Sequence, residues 1–202
     1  MIGAWLEPEA RASQPVRKES WALRRGEQVT LRGAHAEDGV AVRGMVDELS
    51  RESRYFRFLT GGRVADDIVD GLVTPGADGV ALVVTVPGTD GAAEAVIANG
   101  QFVVTGQGTA EFAVIVADAW QGQGLGRRLI ARLLQLAQAA GLRQIRGDVL
   151  SENRRMLAVL RGLGFHCRRN PEDSFLHEAV LAFAPAGADT LARLPADWFS
   201  AR

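Results

Sequence analysis

Apolar and polar positions alternate along Gln28-Val-Thr-Leu-Arg, which predicts a first strand. From Ala36 to Leu49 the spacing changes, and Val40, Val42, Met45, Val46 and Leu49 predict a helix. The aromatic stretch Arg54 to Leu59, with Tyr55, Phe56 and Phe58, runs into Gly61-Gly62. A second short helix is expected from Val64 to Leu72, stopped by Pro75 and Gly76. Strand-like blocks follow. Val80 to Val86 ends at Pro87-Gly88, Glu94 to Asn99 and Gln101 to Thr105 read as one strand interrupted at Gly100, and Thr109 to Val116 comes next. With no helix between them, these blocks are expected to pair antiparallel. In Gly126 to Ala140, Leu129, Ile130, Leu133, Leu134 and Ala137 share one helix face, closed by Gly141. Gln144 to Leu150 reads as a strand and Asn153 to Leu163 as a helix ending at Gly164; Phe165 to Arg168 and Phe175 to Phe183 read as an antiparallel pair linked through Pro171. The order β-α-α-β-β-β-α-β-α-β-β predicts an α/β (α+β) domain, a mixed, mostly antiparallel sheet flanked by helices. We place an N-terminal extension at residues 1–26, the domain at 27–183 and a tail at 184–202, whose Pro195, Trp198 and Phe199 could dock by their aromatics.

Composition narrows the function classes. A chain of 202 residues, 47% hydrophobic, suits one domain with its own core. The net charge of −1 gives no overall basicity to argue for nucleic acid or an anionic membrane. One cysteine, Cys167, excludes an internal disulfide and a multi-cysteine zinc site, and His35, His166 and His177 lack metal-ligand spacing. No apolar run approaches the roughly 18 residues that span a bilayer. The first segment carries Glu7, Glu9 and Glu19 and has no apolar core, so it does not read as a secretory signal; a cytoplasmic setting is expected.

The informative stretch is Glu111-Phe-Ala-Val-Ile-Val-Ala-Asp-Ala-Trp-Gln-Gly-Gln-Gly-Leu-Gly-Arg-Arg-Leu. A strand enters a glycine-rich turn that opens onto a helix. Gly122, Gly124 and Gly126 let backbone N–H groups approach a ligand, and the helix start adds unpaired N–H groups and the positive end of its dipole. Such a loop binds phosphate, with Arg127 and Arg128 adding charge. A Walker loop needs Lys-Ser/Thr where Arg127-Arg128 stands. A dinucleotide fingerprint needs glycine at position 127, and antiparallel strands precede the loop; Asp148 is nonetheless placed where a ribose-binding acid could fall.

The pattern Gln121-x-x-Gly124-x-Gly126, entered from Val-Ile-Val through Ala-Asp-Ala-Trp, resembles the acetyl-CoA signature of the GCN5-related N-acetyltransferases (GNAT). Ser50-Arg-Glu-Ser-Arg-Tyr-Phe-Arg-Phe, Ala110-Glu-Phe-Ala and Ser151-Glu-Asn-Arg-Arg-Met-Leu resemble the acetyltransferase domain of bacterial protein-lysine acetyltransferases. The resemblance implies a single GNAT-like domain with acetyl-CoA as cosubstrate. It implies an amine acceptor, with a protein lysine favoured and a small-molecule amine close behind, and it leaves a homodimer open. It assigns acetyl-CoA binding to Val114, Ile115, Val116, Gln121, Gly122, Gln123, Gly124, Leu125, Gly126, Arg127 and Asn153. The resemblance makes Glu111 the candidate base, since it matches the glutamate of the protein-lysine acetyltransferase motif, and burial in an apolar strand would raise its pKa towards neutrality.

Each of these readings has a plainer one beside it. Glu111 could be an outward residue, since Phe112, Val114 and Val116 would share the core face. Asn153 could simply cap its helix. The tyrosine that many relatives use as general acid is Leu160 here, which motivates a non-catalytic acyl-CoA sensor as an alternative. Arg132, Arg154, Arg155 and Arg161 read as a solvated helix face, and Tyr55, Phe56 and Phe58 as core or cleft lining. Cys167 reads as a small apolar residue.

Overall fold

Eight strands build one sheet: β1 (Glu19–Ala22), β2 (Gln28–Gly33), β3 (Gly79–Val86), β4 (Ala95–Gly106), β5 (Thr109–Val116), β6 (Gln144–Leu150), β7 (His166–Arg169) and β8 (Leu176–Ala182). Their order in space is β1-β2-β3-β4-β5-β6-β8-β7, and every neighbouring pair is antiparallel except β5 with β6. The helices are α1 (Gly39–Asp47), α2 (Arg51–Phe58), α3 (Asp66–Asp70), α4 (Leu125–Ala139) and α5 (Arg154–Arg161). This computed structural model describes residues 16–88, 94–106 and 108–184; the expected tail aromatics Trp198 and Phe199 lie outside them. The architecture is the α/β sheet flanked by helices that the periodicities predict.

Both faces of the sheet carry a core. On one, Leu31, Leu82, Phe102 and Phe112 meet Leu129 and Leu133 of α4 and Leu157 and Leu160 of α5. On the other, Val83, Val96 and Ile115 meet Val42, Met45 and Val46 of α1 with Val69 of α3. Each such side chain contributes roughly 1.5–3 kcal/mol on burial.

The structure departs from the sequence expectations at four places. Glu19–Ala22, read as extension, is an edge strand on β2; four residues are too few for alternation to stand out. The aromatic stretch is a helix, α2, started by the Ser50 hydroxyl, which accepts from Ser53 N at 3.1 Å. None of its residues is buried, so no apolar stripe betrayed it. Val40 is 86% exposed, because it lies two residues, about 200° of helix, from the Val42 face. Finally, β4 runs unbroken through Gly100, where a Cβ would come 2.8 Å from Leu129 Cγ. Glycine here admits α4 against the sheet rather than ending the strand.

Candidate active site

The parallel ladder between β5 and β6 is three pairs long: Thr109 with Gln144, Ala110 with Ile145, and Glu111 with Arg146. Beyond Glu111, β5 continues to Val116 on its pairing with β4, and β6 continues to Leu150 on its pairing with β8. The two strands therefore part into a wedge, and the β5 edge at Ala113 to Val116 is not laddered to β6. Past Val116 the chain turns through Asp118–Trp120 into the glycine loop.

Gly122 (φ 80°) and Gly124 (φ 85°) adopt left-handed backbone, which costs little only for glycine. Gly124 caps α4 without a side chain, and the first helical bond is Arg128 N to Gly124 O at 3.1 Å. The N–H groups of Leu125 and Gly126 therefore stand in the first turn of the helix, ahead of its first backbone bond. Gln123 is buried, with Oε1 lacking a protein partner.

The side chains around the loop behave differently from the sequence reading. Arg127 Nη2 donates to Gly162 O at 2.9 Å, tying α4 to the end of α5. Arg128 donates to Ala22 O at 2.8 Å and lies over the Trp21 ring. The cation that touches the loop is Arg155, read as part of a solvated face: its Nη1 donates to Gln121 Oε1 at 3.2 Å, and its Nη2 is 3.3 Å from where a Gly122 Cβ would be. Gln121 Nε2 in turn donates to Val116 O, Ser53 Oγ and Asp118 Oδ1. Asp118 accepts from Ser50 N (2.7 Å), Ser50 Oγ (3.1 Å) and Ser53 Oγ (2.6 Å), so the loop is tied to the start of α2. Burial works against the Asp118 charge, but these bonds and Arg54 outweigh it and hold the carboxyl below its usual range. Asn153 caps α5, its Oδ1 accepting from Met156 N at 3.1 Å.

At the vertex of the wedge, the Glu111 side chain is 51% exposed, and its carboxylate is 3.8 Å from Arg146 Nη2. The expected burial of Glu111 in an apolar strand is thus absent. On that sheet face Ile115 is covered, whereas Glu111 is open. An open groove of about 470 Å³ extends along the same face, lined by Thr109, Gln144, Arg146, Arg168 and Glu178 among others, and the glycine loop does not border it. Arg57 of α2 has its Nε buried without a partner. Burial lowers its pKa to about 10, with the Glu111 carboxylate acting the other way.

Several comparisons with known proteins bear on this geometry. The model of the Acetyltransferase (GNAT) family matches residues 84–165, a span that contains β5, the loop, α4, β6 and α5. The chain is 31% identical over 151 residues to Acetyltransferase PA5475 of Pseudomonas aeruginosa, covering 74% of this chain and 81% of that one. The chain belongs to the GNAT acetyltransferase family. Acetyl-CoA is the acyl donor of these enzymes. Its fold is similar to the GNAT domain of S. lividans PAT (TM-score 0.73, 23% identity, 82% of this chain and 97% of that one). It is also similar to yncA of Salmonella typhimurium, solved with its cofactor acetyl-CoA (TM-score 0.61, 20% identity, 79% and 96%).

Leu160 of α5, the position at which the motif resemblance leads one to expect a tyrosine, is fully buried in the core. Tyr55 is 39% exposed, and Phe58 packs at the edge of the second core. Burial pushes the Cys167 thiol up, with Arg161 acting the other way, as befits an apolar filler. His177 Nδ1 lies 3.0 Å from Ser151 Oγ at the end of β6. Among the described residues, no group of His, Cys, Asp and Glu could hold a metal, and no helix is long and apolar enough to cross a membrane. Sequence reasoning quoted the segments that hold Ser53, Asp118 and Arg155 but gave none of these side chains a part in the loop; their hydrogen bonds to Gln121 join distant segments.

Proposed function

We propose that this chain transfers an acetyl group from acetyl-CoA to a primary amine by direct attack, with Glu111 as the base, in a cytoplasmic setting. The observation that carries the reading is the short β5–β6 ladder, which opens at Glu111 and leads through the glycine loop to the start of α4. The loop suits a diphosphate: a helix start at Leu125 and Gly126, two left-handed glycines, and the Arg155 charge alongside. Gly122, Gln123, Gly124 and Gly126 would shape that cradle around Gln121, and the free edge at Val114, Ile115 and Val116 would hold the amide-bearing arm, with Asn153 beside it. When bound, acetyl-CoA supplies an acyl group as a thioester open to attack by an amine.

The chain's own part is positioning and proton transfer. Glu111, half exposed at the vertex, would take the proton from the substrate ammonium directly or through one water. Leu160 offers no acid for the departing thiolate. The motif resemblance at Ser50 to Phe58, Ala110 to Ala113 and Ser151 to Leu157 supports a protein lysine as acceptor.

Thermal unfolding with acetyl-CoA, CoA or NADH tests the donor. At about 100 times its dissociation constant a ligand adds roughly 2.7 kcal/mol, a shift of about 5–10 °C for a domain of this size. Both CoA species should shift the midpoint and NADH should not. Glu111→Gln should keep that shift and lower kcat by about 100-fold or more. An intact CoA shift without turnover on any amine would sink the enzyme reading in favour of an acyl-CoA sensor.

A further inference from the structure

Arginines come to the glycine loop from two helices, and they differ in what holds them. Arg127 Nη2 bonds Gly162 O at 2.9 Å and Arg128 Nη1 bonds Ala22 O at 2.8 Å, so both side chains at the start of α4 tie that helix to the protein frame. Arg155, the second residue of α5, is exposed and pairs with no carboxylate among the described residues. Its Nη1 donates to Gln121 Oε1 at 3.2 Å. Its Nη2 takes up the space that a side chain at Gly122 would need, 3.3 Å from an ideal Cβ there.

The chemistry of the neighbours fixes that tether. Val116 O and the Asp118 carboxylate can only accept, so the Gln121 amide turns Nε2 to them, at 3.2 Å each, and to Ser53 Oγ at 3.1 Å. Oε1 then faces the other way and takes the Arg155 N–H. Asp118, the acid of this network, is occupied by Ser50 N, Ser50 Oγ and Ser53 Oγ as well as by Gln121. A neutral amide therefore holds the guanidinium against the loop through one of its five N–H donors and leaves its charge uncancelled.

A cation held by a neutral group beside the left-handed backbone of Gly122 is placed for an oxyanion, and its planar fork matches phosphate oxygens two at a time. Acetyl-CoA carries such oxygens in its diphosphate and in its 3′-phosphate. Resting on the donor and loop reading above, we propose that Arg155 is the side chain that recognises the phosphate end of acetyl-CoA, with Gln121 as the residue that positions it. Arg127 and Arg128, the cations that follow the loop in sequence, hold α4 in place and set stability more than donor affinity.

The experiment titrates the full chain with CoA and with 3′-dephospho-CoA by calorimetry, at roughly 0.05 and 0.5 M salt. Wild type with CoA is scored first; absence of binding there defeats the donor reading, and the proposal falls with it. Arg155→Gln should raise the Kd for CoA by roughly 10-fold at low salt, the low end for a charge-assisted pair at an exposed site, and by less at high salt. Arg155→Lys should recover only part of the loss. Arg154→Gln removes the neighbouring charge on α5 and should stay within roughly 2-fold of wild type, while Arg127→Gln should lower the unfolding midpoint and change the CoA Kd less than Arg155→Gln does. Equal losses on the two ligands assign Arg155 to the diphosphate; a loss confined to CoA assigns it to the 3′-phosphate. Gln121→Ala should flatten the same salt dependence, and the double variant should lose little more than Arg155→Gln alone. A Kd for Arg155→Gln within 2-fold of wild type, or a loss that salt leaves unchanged, makes Arg155 a brace for the loop and overturns the proposal. Fully additive losses in the double variant overturn the positioning role of Gln121.

Discussion

Replacing Asp118 by alanine should unhook α2 from the glycine loop. Its carboxylate accepts from Ser50 N, Ser50 Oγ, Ser53 Oγ and Gln121 Nε2, at 2.6 to 3.2 Å. The residue is exposed, so each bond is worth the low end of its range, about 0.5–1 kcal/mol, and the set about 2–3 kcal/mol. For a domain of this size that lowers the midpoint by about 4–10 °C. Asp118→Asn keeps one acceptor oxygen and should lose about half as much. The pH dependence supplies a control. Because the folded carboxyl sits below its ordinary value, its contribution is fully present above an unfolded pKa of about 3.9 and is lost as pH falls through the folded value. The gap between wild type and Asp118→Ala, followed by scanning fluorimetry, should hold from pH 7 to pH 5 and close only below about pH 4. Since Gln121 and Arg155 hang from the same network, the KM for acetyl-CoA should rise more than kcat falls. A midpoint within 1 °C of wild type at pH 7, or a gap that widens on acidification, would refute the reasoning.

Two further outcomes follow from the same geometry. Leu160→Tyr should not supply a general acid, because the site is sealed in the core; it should cost about 1–3 kcal/mol by overpacking with no gain in kcat, which denaturant titration and steady-state kinetics will show. Gly124→Ala meets no atom within 4 Å, so its cost should be the left-handed backbone alone, about 1–2 kcal/mol, together with weaker acetyl-CoA binding by titration calorimetry.

Local pattern carried most of the fold. The bounds of β5 and β6 match the alternating runs, and α4 falls within one residue of its apolar stripe, because burial on one face repeats with the period of the element. The glycine loop was legible too, since backbone shape and helix polarity are set within seven residues. Elements without a buried stripe were not. α2 escaped notice because none of its residues is buried, and β1 because it spans only four residues.

The site divides along the same line. Sequence alone picked out Gln121 to Arg127 as a glycine-rich turn opening onto a helix, and Glu111 as a carboxylate on the strand before it. Only the tertiary structure decided that Glu111 stands exposed at the vertex of a wedge, that Arg127 and Arg128 bond to the protein frame, and that Arg155 reaches the loop. It also left the Nε of Arg57 buried without a partner. Those facts depend on contacts between residues 34 to 106 positions apart, such as Gln121 with Arg155, Gln121 with Ser53 and Arg128 with Ala22. No local period encodes such distances; the crossing of sheet and helices creates them.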